Sequence, residues 1–104
     1  MSEMQEWLYV LKATRLEMLT EGATEEEDRV VGEHYQYLKQ LLRDGVTILM
    51  GRTIEDNDDT IGLVIFRAED EKEARRIMES DPAVRNGVMS AKLQPYRVAL
   101  MEGH

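Results

Sequence analysis

The sequence predicts an α+β architecture with its elements in the order β-α-β-β-α-β. Four segments are dense in β-branched, aliphatic and aromatic residues, and two others open on helix-capping signatures. The breaks between them are short clusters of turn residues instead of linkers.

Trp7, Leu8, Tyr9, Val10 and Leu11 make residues 7–14 a strand that is apolar on both faces, as a central strand of a sheet must be. A loop containing Gly22 follows. At Thr24 a capping box begins, in which the threonine hydroxyl accepts from the backbone of Glu27 while the Glu27 carboxylate reaches back. The helix it starts runs to about Asp44 and is stopped by Gly45. Residues 46–50 and 60–66 are β-branched and apolar, and the acidic residues 55–59 between them form the solvated turn of a hairpin. Asp70 and Glu73 repeat the capping pattern, and Ala74, Ile77 and Met78 supply the apolar stripe of a second, shorter helix that ends near Asp81-Pro82. Residues 88–94 are interrupted by Pro95 and resume through residue 101, which predicts a bulged final strand on an edge, where proline is tolerated.

With neither repeat nor linker, residues 1–104 are expected to form one domain with its core at about 7–101. The order is the split β-α-β arrangement of ferredoxin-like folds, an antiparallel sheet with both helices on one face. The opposite face then needs a cover, and pairing with a second copy is the natural remedy, so a homodimer is expected.

Composition narrows the function. The chain is 42% hydrophobic and 33% charged, which excludes a disordered protein. It has no cysteine, which removes thiolate nucleophiles, disulfides and zinc-thiolate sites together. The net charge of −8 would repel phosphate backbones and anionic lipid, so neither nucleic acid nor a membrane is an expected partner. The arginines could still form a local pocket for an anionic small molecule. No apolar run approaches the ~20 residues that span a bilayer, and the first residues lack a secretory pattern, so a cytoplasmic location is expected.

The chemistry concentrates on one residue. At about 100° per residue, Val30, Val31, Leu38, Leu41 and Leu42 fill one arc of the first helix, and His34 falls between Leu38 and Leu41 near its centre. A core histidine satisfied by backbone is one account of it, and an acid–base group is the other. In a split β-α-β fold the two helices lie antiparallel. The first half of the first helix therefore sits beside the end of the second, where Asp81 stands. A carboxylate there could hold one imidazole nitrogen and poise the other. A turn aspartate before proline is the plainer reading of Asp81.

The pattern Arg29-x-x-x-x-His34-Tyr35-x-Tyr37-Leu38, then Gly45, Gly51, Ser80-Asp81-Pro82-Ala83 and Gly87, resembles the YCII-related (YciI-like) family over about residues 7–100. The resemblance implies a ferredoxin-like domain that dimerises as an α/β barrel, with His34 and Asp81 at its proposed active site. Ala83 stands where that family often has an aromatic residue. Tyr9, Tyr35 and Arg29 are further candidates for substrate binding, although core packing accounts for the two tyrosines as well.

Other signals are weaker. Asp56-x-Asp58-x-Thr60 begins like a calcium loop, but Ile61 and Arg67 stand where glycine and glutamate are needed. The acidic run at residues 25–28 suits the first turn of a helix. Ser80 adjoins Asp81 without a nucleophile-elbow sequence around it. His34 has no internal histidine or cysteine with which to share a transition metal, so no metal and no cofactor are expected. Two functions fit: a cofactor-free small-molecule enzyme of isomerase or lyase type, or a non-catalytic dimeric ligand-binding or regulatory module.

Overall fold

The computed structural model describes residues 4–103. In it β1 (Gln5–Ala13) is followed by α1 (Glu17–Thr20), α2 (Glu25–Arg43), β2 (Thr47–Arg52), β3 (Gly62–Ala68), α3 (Glu71–Ser80), α4 (Pro82–Arg85) and β4 (Met89–Tyr96). The strands form one antiparallel sheet in the order β2-β3-β1-β4, with the hydrophobic β1 at its centre as its two apolar faces require.

The register sorts the side chains. Trp7 opposes Phe66 and Pro95, and Tyr9 opposes Val64 and Leu93, so these share one face of the sheet. On that face Trp7, Tyr9, Leu11, Val64, Phe66 and Ala68 pack with Leu38 of α2 and with Ala74, Ile77 and Met78 of α3. Both helices therefore cover the same face. The alternate residues, Leu8 and Val10 opposite Ile65 and Leu63, lie on the other side.

The helix ends follow local chemistry. Thr24 and Glu27 complete the capping box of α2. At its other end Gly45 adopts a φ of 78°, and Val46 N–H bonds to Leu41 O at 2.8 Å while Gly45 N–H bonds to Leu42 O at 3.1 Å. This is a Schellman stop that needs the left-handed conformation glycine tolerates. Asp70 caps α3 by accepting from Glu73 N–H at 2.9 Å, but the expected reciprocal bond is not made. The Glu73 carboxylate takes a bidentate bond to Arg76 instead.

Three further expectations are corrected. β4 runs through Pro95 without a bulge and ends at Tyr96, because the register places Tyr96 opposite Glu6, near the start of β1. Beyond it Val98 N–H turns to the Glu6 carboxylate at 2.7 Å. The sheet's irregularity lies instead in β2, between Thr47 and Leu49. Leu42, placed in the apolar arc of α2, is 55% exposed, while its neighbour Leu41 packs against the core.

Candidate functional site

Asp81 sits where α3 ends and α4 begins. Its backbone is extended, and Pro82 occupies the first turn of α4, where a missing N–H costs nothing. The fully buried carboxylate accepts from Ala83 N–H at 2.9 Å, which caps α4. It also meets His34 Nδ1, at 2.7 Å from Oδ1 and 2.9 Å from Oδ2. The third donor is Tyr9, whose hydroxyl donates to Oδ2 at 2.7 Å. A buried carboxylate can only accept, and here three groups from three elements point donors at it.

His34 is buried one turn from Val30 and one from Leu38, which are both core residues. Because Asp81 takes the Nδ1 hydrogen, the neutral ring carries its lone pair on Nε2. Among the described residues Nε2 bonds no protein group, and none of their buried side-chain polar atoms lacks a partner. Nε2 therefore opens onto space, and His34 does line a cavity of about 350 Å³.

That cavity lies between the first half of α2 and the ends of β1, β2 and β3. Its wall is mostly hydrocarbon, with Leu11, Val31, Met50, Ile61 and Met89 among the contributors. Its polar side chains are Asp28, His34, Tyr35, Arg52 and Thr60. Thr60 is buried, and its hydroxyl is committed to Glu55 O and Asn57 N–H.

The remaining candidates divide. Tyr35 lines the cavity with 53% of its surface exposed. Tyr9 does not line it; its ring packs against Phe66 with centroids 5.5 Å apart, and its hydroxyl reaches the site from behind, through Asp81. Burial first, then the charge of Asp81 and the bond to it, push the Tyr9 hydroxyl far above its ordinary range. It remains a neutral donor. Arg29 is displaced from the cavity, because five residues before His34 correspond to about 140° of helix rotation. Its guanidinium instead bonds Glu26 and Glu33 on the outer surface of α2. Arg52 and Asp28, which sequence reasoning did not select, are the charged groups the cavity holds. The alternation of β2 carries the signal for Arg52, since two residues after Met50 return to the same face.

The profile of the YCII-related domain matches residues 8–94. The chain belongs to this family. Solved structures similar to this YCII-related protein share its fold. A 5-chloro-2-hydroxyhydroquinone dehydrochlorinase from Burkholderia phenoliruptrix, solved as a complex with 2,5-dihydroxybenzoquinone, is 19% identical with a TM-score of 0.62, covering 88% of this chain and 93% of its own. An uncharacterised protein from Thermotoga maritima is 12% identical with a TM-score of 0.55, covering 91% and 100%. A putative antibiotic biosynthesis monooxygenase from Nitrosomonas europaea is 10% identical with a TM-score of 0.50, covering 93% of each chain. No curated protein matches the sequence. Among the described residues, no helix is long and apolar enough to cross a membrane.

Proposed function

We propose that this YCII-related protein is a small-molecule enzyme that works without a cofactor, with His34 as its acid–base group and Asp81 as the partner that orients it. One observation carries the reading: His34 Nδ1 is held by a buried carboxylate at 2.7 Å while the ring lines an apolar cavity. Nε2 takes a proton from a bound molecule while the Nδ1 hydrogen stays on the ring, bonded to Asp81, whose negative charge stabilises the imidazolium. The proton then returns to a second atom, which gives isomerisation, or a leaving group departs with its electron pair, which gives elimination. The dehydrochlorinase of this fold was solved with a small ring compound, and a molecule of that size suits a cavity of about 350 Å³.

The test is the imidazole tautomer, read by ¹⁵N–¹H correlation spectra near the neutral end of the titration. Wild type carries the hydrogen on Nδ1. In Asp81→Asn the amide turns its own hydrogens toward Nδ1, so the ring hydrogen moves to Nε2 and the base facing the cavity is lost. The same tautomer in both proteins would sink the reading.

The proposal extends to assembly. Leu8, Val10, Leu63 and Ile65 form an apolar patch on the sheet face away from the helices, and a second copy packed there would close a dimeric barrel. A cytoplasmic location completes the reading, and fractionation of cells expressing the protein checks it.

A further inference from the structure

We propose that the cavity beside His34 takes a small, largely apolar molecule carrying a single anionic group, and that Arg52 binds that group. The proposal rests on His34 being the acid–base residue and gives that residue a substrate class. Among the described residues, Arg52 is the one permanent cation that lines the cavity, in a chain of net charge −8. Attraction for an anion is therefore concentrated at a single point of an otherwise hydrocarbon wall.

The guanidinium is held in place for this task. Its Nε donates to Thr53 O at 2.9 Å, and one terminal nitrogen donates to Asp56 at 2.6 Å. The other terminal nitrogen bonds no described residue. The Arg52–Asp56 pair is half exposed, with side chains 51% and 54% accessible, so its own attraction is weak and a ligand can compete for the cation. A planar fork oriented in this way suits a carboxylate or a phenolate.

Placement separates the two roles. The His34 side chain is 7% accessible, at the inner wall, whereas Arg52 stands at the mouth. A ligand anchored by its charge at Arg52 extends its apolar body toward Nε2. Asp28 also lines the cavity, and its charge opposes a second anionic group. The volume, about 350 Å³, lies at the low end of the roughly 300–1,000 Å³ common for ligand sites, so the molecule is small.

Calorimetric titration with benzoate and benzamide, which differ in charge and little in shape, tests this on the purified protein. Wild type should bind benzoate about tenfold more tightly than benzamide. Arg52→Gln should bind the two alike, and Asp28→Asn should bind benzoate more tightly than wild type does. Asp56→Asn loosens the loop but keeps the cation, so the preference should persist. His34→Asn should also keep it, which lets the anion site stand even if the tautomer experiment removes the acid–base role. The proposal is overturned if wild type fails to prefer benzoate, if the preference survives in Arg52→Gln, or if Asp56→Asn abolishes it as completely.

Discussion

Tyr9 and Asp81 stand 72 positions apart in the sequence and meet through a 2.7 Å hydrogen bond in which the phenol donates to Oδ2. The bond ties the central strand to the junction of α3 and α4 and leaves the carboxylate facing His34. Tyr9→Phe removes this donor while keeping the ring against Phe66. A hydrogen bond to a charged group is worth roughly 1.5–3 kcal/mol, so urea unfolding should show a loss of about 2 kcal/mol with an unchanged slope. An unaffected midpoint would mean that the bond contributes nothing net.

Replacing Asp81 should separate structure from chemistry. Asp81→Ala removes the cap of α4 and leaves the Tyr9 hydroxyl and His34 Nδ1 without their acceptor in a buried site. An unsatisfied buried donor costs about 1–3 kcal/mol, and a lost cap about 1, so a loss of roughly 3 kcal/mol or more is expected in thermal or urea unfolding. Asp81→Asn keeps an acceptor oxygen for Ala83 and should lose much less. Once a substrate is in hand, the asparagine variant should nonetheless turn over at least a hundredfold more slowly, because its histidine presents N–H to the cavity.

The fold was largely legible because its signals are local. Capping residues at Thr24 and Asp70, the glycine stop at Gly45 and the apolar run of β1 each act within a few residues. The inward phase of His34 is equally local. The one-turn helix α4 was missed because four residues show no periodicity, although Asp81 as cap with Pro82 in the first turn is a readable start signal. The reach of Tyr9 to Asp81 is hard to read for a different reason. Its ring satisfies the core pattern, and only the rule that a buried phenol needs a polar partner points onward to Asp81. Arg52 shares the face of Met50 by simple alternation, but the irregularity between Thr47 and Leu49 decides which face that is, so the pattern pairs the two residues without placing them on the cavity side.

In alkali the tyrosines should set the stability. Burial, followed by the nearby charge of Asp81, raises both the Tyr9 and the Tyr37 hydroxyls above the ordinary value of 10.0. The unfolded chain therefore ionises first. Their contribution is complete below pH 10 and declines as pH rises above it, by about 1.4 kcal/mol per pH unit for Tyr9 while the folded phenol stays neutral. Urea midpoints measured upward from pH 10 should fall, less steeply in Tyr9→Phe, with phenolate absorbance of Tyr9 appearing only on unfolding. A pH-independent midpoint there contradicts the assignment.

Acid should act at the start of α2. The bond from Arg15, then that from Thr24 N–H, lowers the Glu27 carboxyl to about 2 from 4.5. A depressed carboxyl stabilises the fold above its unfolded value and loses that contribution as pH falls from about 4.5 toward 2. Glu27→Gln keeps a side chain able to cap Thr24 but carries no charge. Its melting temperature should lie below that of wild type at pH 7, and the gap should close as pH falls through that window. A gap that stays constant would assign the effect to packing.

The sheet face away from the helices gives the last expected outcome. Val10 lies between Leu63 on β3 and Lys92 on β4, and Leu8 between Ile65 and Gln94, so the apolar strip follows β1 and β3 and is bordered by polar groups on the edge strand. A rim of that kind suits an isologous contact, in which each copy sets its β1–β3 strip against the other's. Sedimentation should give a dimer for wild type. Val10→Glu places a charge at the middle of both copies of the strip, twice per contact, and should give a monomer that keeps its helical circular dichroism. A wild-type monomer would refute the pairing. A dimer that survives Val10→Glu would move the contact to another surface and leave the barrel reading without support.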